Sequence, residues 1–126
     1  RSASAPEVPY VGAYRLIYVN EDEGKAREIG EAAFDDWCRK LEKLWKENNL
    51  SVPFLTMLGS FDIAKDCGMM VCGTPDQVIE ELKLQVDDTG VNYFALQLAF
   101  GNLGHHEEMR SLERFAMKVM STLKTD

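Results

Sequence analysis

Few side chains in this 126-residue chain are of a type, and in a place, that could do chemistry. The sharpest candidate is Gln97, a primary amide inside Val91–Phe100, a segment that is otherwise apolar apart from Asn92. An amide in such surroundings must find hydrogen-bond partners, either in a bound molecule or in another polar group of the core. Phe100 and then Gly101-Asn102-Leu103-Gly104 follow it, and the two glycines suit either the close approach of backbone N–H groups to a phosphate or an ordinary turn. Asn20 holds the equivalent place after the apolar run Ala13–Val19. His105 and His106 come next, where an imidazole can serve as acid or base, although a position ahead of Glu107 and Glu108 also fits solvated residues at a helix start.

Metal and nucleophile chemistry find less support. Cys67 and Cys72 have four residues between them, which misses the two-residue zinc-knuckle spacing, and no matching His or Cys pair follows. A redox dithiol is typically Cys-x-x-Cys, so these read as buried or incidental thiols and no metal is expected. Three cysteines, Cys38 being the third, suggest free thiols in a reducing compartment, with the cytoplasm as default. Gly-x-Gly-x-x-Gly, Walker and Gly-x-Ser-x-Gly patterns do not occur, so dinucleotide, P-loop and serine-hydrolase chemistry are unsupported.

The elements that must position these residues are legible from periodicity. Ala13–Asn20 is nearly all apolar apart from Arg15 and reads as a strand covered on both faces. Ala26, Ile29, Ala33, Phe34, Trp37, Cys38, Leu41, Leu44 and Trp45 then recur at spacings of three and four, predicting a long amphipathic helix capped by Asn20 or Asp22 and ending near Asn48-Asn49. Residues 50 to 68 fit neither period for long, with a short helix expected around Phe61–Cys67. Thr74, Pro75 and Gln77 spell a capping box with proline in the first turn, predicting a helix from Pro75 to about Thr89 that buries Val78, Ile79, Leu82 and Val86 and stops at Gly90. Val91–Phe100 reads as a central parallel strand. His105–Lys124 reads as a last helix with Met109, Leu112, Phe115, Ala116, Val119, Met120 and Leu123 on one side.

This alternation of strands and helices places the chain in the α/β class with parallel strands. Residues 1–11 read as a flexible linker and 12–126 as one α/β domain. Strands apolar on both faces need neighbours, so either self-association or membership of a larger barrel is expected. With 45% hydrophobic and 28% charged residues the chain can bury a core. Its net charge of −7 argues against nucleic acid as a partner. Its uncharged stretches fall short of the ~18 apolar residues a membrane-spanning helix needs, so no membrane partner is expected.

Four motifs arrive in order with short spacers: Gly73-Thr74-Pro75-Asp76-Gln77-Val78, Thr89-Gly90-Val91-Asn92-Tyr93-Phe94, Phe100-Gly101-Asn102-Leu103, and Arg110–Met120. Together they resemble the C-terminal end of the luciferase-like, flavin-dependent monooxygenases. Tyr14–Val19, followed by acidic residues and Lys25-Ala26-Arg27, resembles the penultimate-strand region of the same family, so the likeness runs over about residues 12 to 121. The resemblance implies the last units of a (β/α)8 TIM barrel, incomplete here because such a barrel needs about 250 residues. It also implies reduced FMN as cofactor, or a deazaflavin in some branches, and a small organic substrate oxidised with O2 in the FMN branch. Barrel sites stand at the C-terminal strand ends. The flavin-binding candidates are therefore Asn20, Gln97, Phe100, Gly101 and Asn102. The family's usual catalytic side chains lie on N-terminal strands with no counterpart here, so the fragment is expected to be inactive alone. The alternative expectation is a self-associating α/β binding or assembly module, a homo-oligomer joined through apolar helices or strand edges.

Overall fold

A computed structural model describes residues 12–49, 60–91 and 93–124. The proposed linker over residues 1–11, Asn92, and residues 50–59 of the irregular stretch lie outside the described residues. The elements run β1 (Gly12–Val19), α1 (Glu23–Glu47), α2 (Phe61–Asp66), β2 (Met70–Gly73), α3 (Pro75–Thr89), β3 (Tyr93–Gln97) and α4 (His105–Arg114). A π-helical turn, Phe115–Met120, then carries α4 into α5 (Ser121–Lys124).

β1 is the centre of the molecule. Side chains alternate across a strand, and β1 feeds a separate core on each face. Leu16 and Tyr18 enter one cluster with Ala26, Ala33 and Phe34 of α1, Phe61 and Ala64 of α2, and Phe100. Ile17 and Val19 enter the other with Val71, Val78 and Leu82 of α3, and Phe115 and Val119 of the last helix. The result is a three-layer arrangement, with α1 and α2 on one side of the sheet and α3 with the last helix on the other. Phe34 anchors the first core, its ring 5.8 Å from Trp37 and 6.2 Å edge-on from Phe61.

The sheet has three parallel strands in the order β2-β1-β3. β1 pairs with β2 from Leu16↔Met70 to Val19↔Gly73, and with β3 from Gly12↔Tyr93 to Leu16↔Gln97. This order corrects the barrel expectation. Consecutive βα units of a barrel would set β2 between β1 and β3 and curl the sheet toward closure. Among the described residues the first strand is flanked by the other two and the sheet is open, a small α/β domain rather than a segment of a TIM barrel.

Helix signals transfer closely. Asp22, rather than Asn20, caps α1, its Oδ1 accepting from the Lys25 N–H at 2.9 Å. The box at α3 is reciprocal: the Gln77 N–H donates to Thr74 Oγ1 at 3.3 Å and the Thr74 N–H to Gln77 Oε1 at 3.0 Å. Gly90 ends the helix at φ 71°. Faces transfer less well. Burial along α1 stops at Cys38, leaving Leu44 exposed. α3 turns Gln85 inward and leaves Val86 exposed. From α4 into the π-helical turn, Ser111, Phe115 and Val119 face the sheet while Met109, Leu112 and Met120 face outward. β3 has five residues, not ten, stands at the edge of the sheet among the described residues, and is at most half-buried.

Candidate functional site at the strand ends

Past Leu16, β1 outruns β3, whose pairing ends at Gln97. The peptide groups of Val19 on that side therefore need other partners, and α4 supplies them. The Val19 N–H donates to Ser111 Oγ at 2.9 Å, and Arg114 Nη1 donates to the Val19 carbonyl at 3.0 Å. Two side chains of one helix thus stand in for a strand.

A second set of polar contacts adjoins them. Tyr18 is fully buried, and its hydroxyl donates to Glu107 Oε2 at 2.8 Å while accepting from Asn20 Nδ2 at 3.1 Å. Asn20 Oδ1 accepts from the Asp22 N–H at 3.0 Å, and the Asn20 N–H donates to the Gly73 carbonyl at 3.1 Å. Burial pushes the Tyr18 phenol up to about 12; the Asn20 hydrogen bond, next in size, opposes this, the Glu107 carboxylate adds to it, and Arg114 opposes it least. Tyr18 therefore works as a neutral hydrogen-bond donor, not as a base.

The five sequence candidates fare differently. Asn20 is buried, and both ends of its amide are used by Tyr18 and Asp22. Gln97 is half-buried, and its Nε2 turns back to the Ala99 carbonyl at 2.9 Å. Phe100 lies in the α1 core and Asn102 is exposed. Gly101, at φ 60°, is pressed on α1 so closely that a Cβ there would collide with the Ala33 carbonyl. Gly101 thus packs against a helix, and the Leu103 N–H is used within the loop, donating to the Phe100 carbonyl at 3.3 Å. Asn20 belongs to the α4 contacts and the 97–102 segment to α1, and the two do not build one cradle. These residues do not, by themselves, fit a flavin.

His105 and His106 are exposed at the start of α4. Cys38 is buried, its thiol raised to about 11 by burial first and then by Asp35 and Glu42. Cys72 is buried and donates to the Ala26 carbonyl at 3.0 Å, its thiol raised by burial to about 12. Neither is a ready thiolate at neutral pH. Among the described residues no three His, Cys, Asp or Glu side chains gather as metal ligands, and no helix is long and apolar enough to cross a membrane.

Two clefts open elsewhere. One, of about 530 Å3, runs beside β2 between Asp62, Lys65 and Asp66 on one wall and Gln77, Glu80, Glu81 and Leu84 on the other. The other, of about 540 Å3, lies between α3 and the start of β3, with Leu82, Val86, Val91, Phe94 and Leu123 in its lining. Sequence reasoning missed Tyr18, Glu107, Ser111 and Arg114 as a group. The available signal was Ser111 itself, four and eight residues before Phe115 and Val119 and so on the buried side of its helix.

No family model matches the chain. An uncharacterised protein of Sinorhizobium fredii, y4wF, is 31% identical to it over 94 residues, which are 75% of this chain and 27% of that protein. The crystal structure of the monooxygenase RslO1 from Streptomyces bottropensis superposes on 94% of this chain with a TM-score of 0.74 and 22% identity, covering 32% of RslO1. That likeness shows the fold. The chain spans about a quarter to a third of the length of these two proteins.

Proposed function

We propose that this chain is a scaffold portion of a flavin-dependent monooxygenase, an oxidoreductase that uses reduced FMN and O2 to oxidise a small organic substrate. The carrying observation is the superposition of nearly the whole chain on part of a monooxygenase, at a TM-score of 0.74. The ordered motifs from Gly73 to Met120 support the same reading from the sequence side. The amide of Asn20 is consumed internally and Gly101 is closed by Ala33. The flavin site and the catalytic side chains are therefore assigned to the rest of the protein, and the chain alone is inactive.

A longer protein containing this segment, supplied with reduced FMN, should consume O2 faster when its organic substrate is present. Failure to bind reduced flavin, or oxygen uptake that no small organic substrate alters, would overturn the proposal.

A second reading, a self-associating α/β module without catalysis, is favoured by one feature. Met109, Leu112, Met117 and Met120 leave the last helix with a largely exposed apolar surface. Light scattering at a mass of one chain over a wide concentration range would remove this reading.

A further inference from the structure

Ser111, Phe115 and Val119 are buried, and Leu123 packs on the same core as Phe115 and Val119. These residues stand four places apart in the sequence, a spacing that an α-helix does not keep on one line. At 3.6 residues per turn each step of four rotates by about 40°, so the file would wind about 120° off the sheet between Ser111 and Leu123. The residues that an unbroken helix would bring inward after Ser111 and Phe115 are Lys118 and Thr122, seven and eleven places beyond Ser111. Both are exposed.

The π-helical turn Phe115–Met120 removes the mismatch. Its i→i+5 bonding takes in about one residue more per turn than an α-helix does, which returns Val119 and Leu123 to the line set by Ser111 and Phe115. Two hydroxyls support the carbonyls on its far side. Ser121 Oγ donates to the Met117 carbonyl at 2.6 Å and Thr122 Oγ1 to the Lys118 carbonyl at 2.8 Å. The flank of the helix is aligned by the same turn. Ser111 and Arg114 hold the N–H and the carbonyl of Val19, and Lys118 Nζ lies 3.0 Å from Glu21 Oε1.

We infer that the π-helical turn is a register device: its one surplus residue lets a single helix grip the carboxyl end of β1 through Ser111, Arg114 and Lys118 while keeping Phe115, Val119 and Leu123 in the core. The segment so fixed, Val19–Glu21, lies at the end of the central strand, the end at which open α/β sheets take their ligands. The Met117 side chain, 68% exposed, serves neither set of contacts and marks the residue that the core can do without.

The test deletes Met117 and, in a second variant, inserts an alanine after it, with thermal melting and amide exchange at Val19 as readouts. A deletion inside an ordinary helix turns all that follows by about 100° and pulls core residues out. Here it sets Val119 and Leu123 seven and eleven places after Ser111, so a plain α-helix keeps the core contacts. The deletion variant is expected to melt within about 4 °C of the parent with the Val19 amide still protected, and the insertion variant at least about 8 °C below it. A deletion variant that fails to fold or melts as low as the insertion variant would overturn the inference. So would an insertion variant that melts with the parent, or loss of Val19 protection in the deletion variant.

Discussion

At the scale of single residues, the stitching of β1 to α4 is the feature with most consequence. Ser111→Ala removes the acceptor of the buried Val19 N–H and leaves that donor stranded. It should cost about 1–3 kcal/mol by urea unfolding. Tyr18→Phe should cost about 1–2 kcal/mol, because Glu107 and the Asn20 amide lose their shared partner. The phenol also links stability to pH. Its pKa is raised from 10.0 to about 12 in the folded chain, chiefly by burial. The folded state thus holds the proton longer than the unfolded state does. Its contribution, on the order of 2 kcal/mol, is fully present below pH 10 and is lost as pH rises toward 12. Unfolding measured across that range should show this loss in the parent and its absence in Tyr18→Phe. None of this was written in residue types alone. Gln97 looks the better site candidate in the sequence because it interrupts an apolar run, but β3 is an edge and the amide turns back on Ala99. Tyr18 looks like ordinary core until the fold brings Glu107 to its hydroxyl.

At the scale of elements, the sequence is most legible where the signal is local. Thr74, Pro75 and Gln77 announce α3 because every contact of the box lies within three residues. Thr74→Ala should cost about 1 kcal/mol by urea unfolding. Two glycines make an instructive pair. Gly90 and Gly101 share a left-handed backbone, at φ 71° and 60°, but a Cβ at Gly90 meets open space while one at Gly101 strikes the Ala33 carbonyl. Gly90→Ala should lose about 1 kcal/mol from backbone strain alone. Gly101→Ala should lose clearly more, because the 97–102 segment must also lift from α1, and melting the two variants side by side checks the order. Faces were less legible than boundaries. The apolar pattern of His105–Lys124 admits two faces, and only the sheet decides that Ser111, Phe115 and Val119 form the inward one. β2 escaped notice because four residues are too few for a period to declare itself.

At the scale of the whole molecule, class was legible and topology was not. Strands apolar on both faces correctly call for helices above and below them, as the two cores on either side of β1 show. Nothing in a single strand tells which neighbour it takes, so the order β2-β1-β3 and the open sheet had to come from the structure. The function proposed above takes the chain as a scaffold of an oxidoreductase whose cofactor is held elsewhere in the protein. The most direct measurement is a titration of the isolated chain with FMN, first oxidised and then anaerobically reduced, following flavin fluorescence and absorbance while light scattering reports the mass. The account predicts no saturable, stoichiometric binding in either redox state. One flavin bound per chain, weakened by Gln97→Ala, would contradict it and would make the 97–102 segment a cofactor site after all.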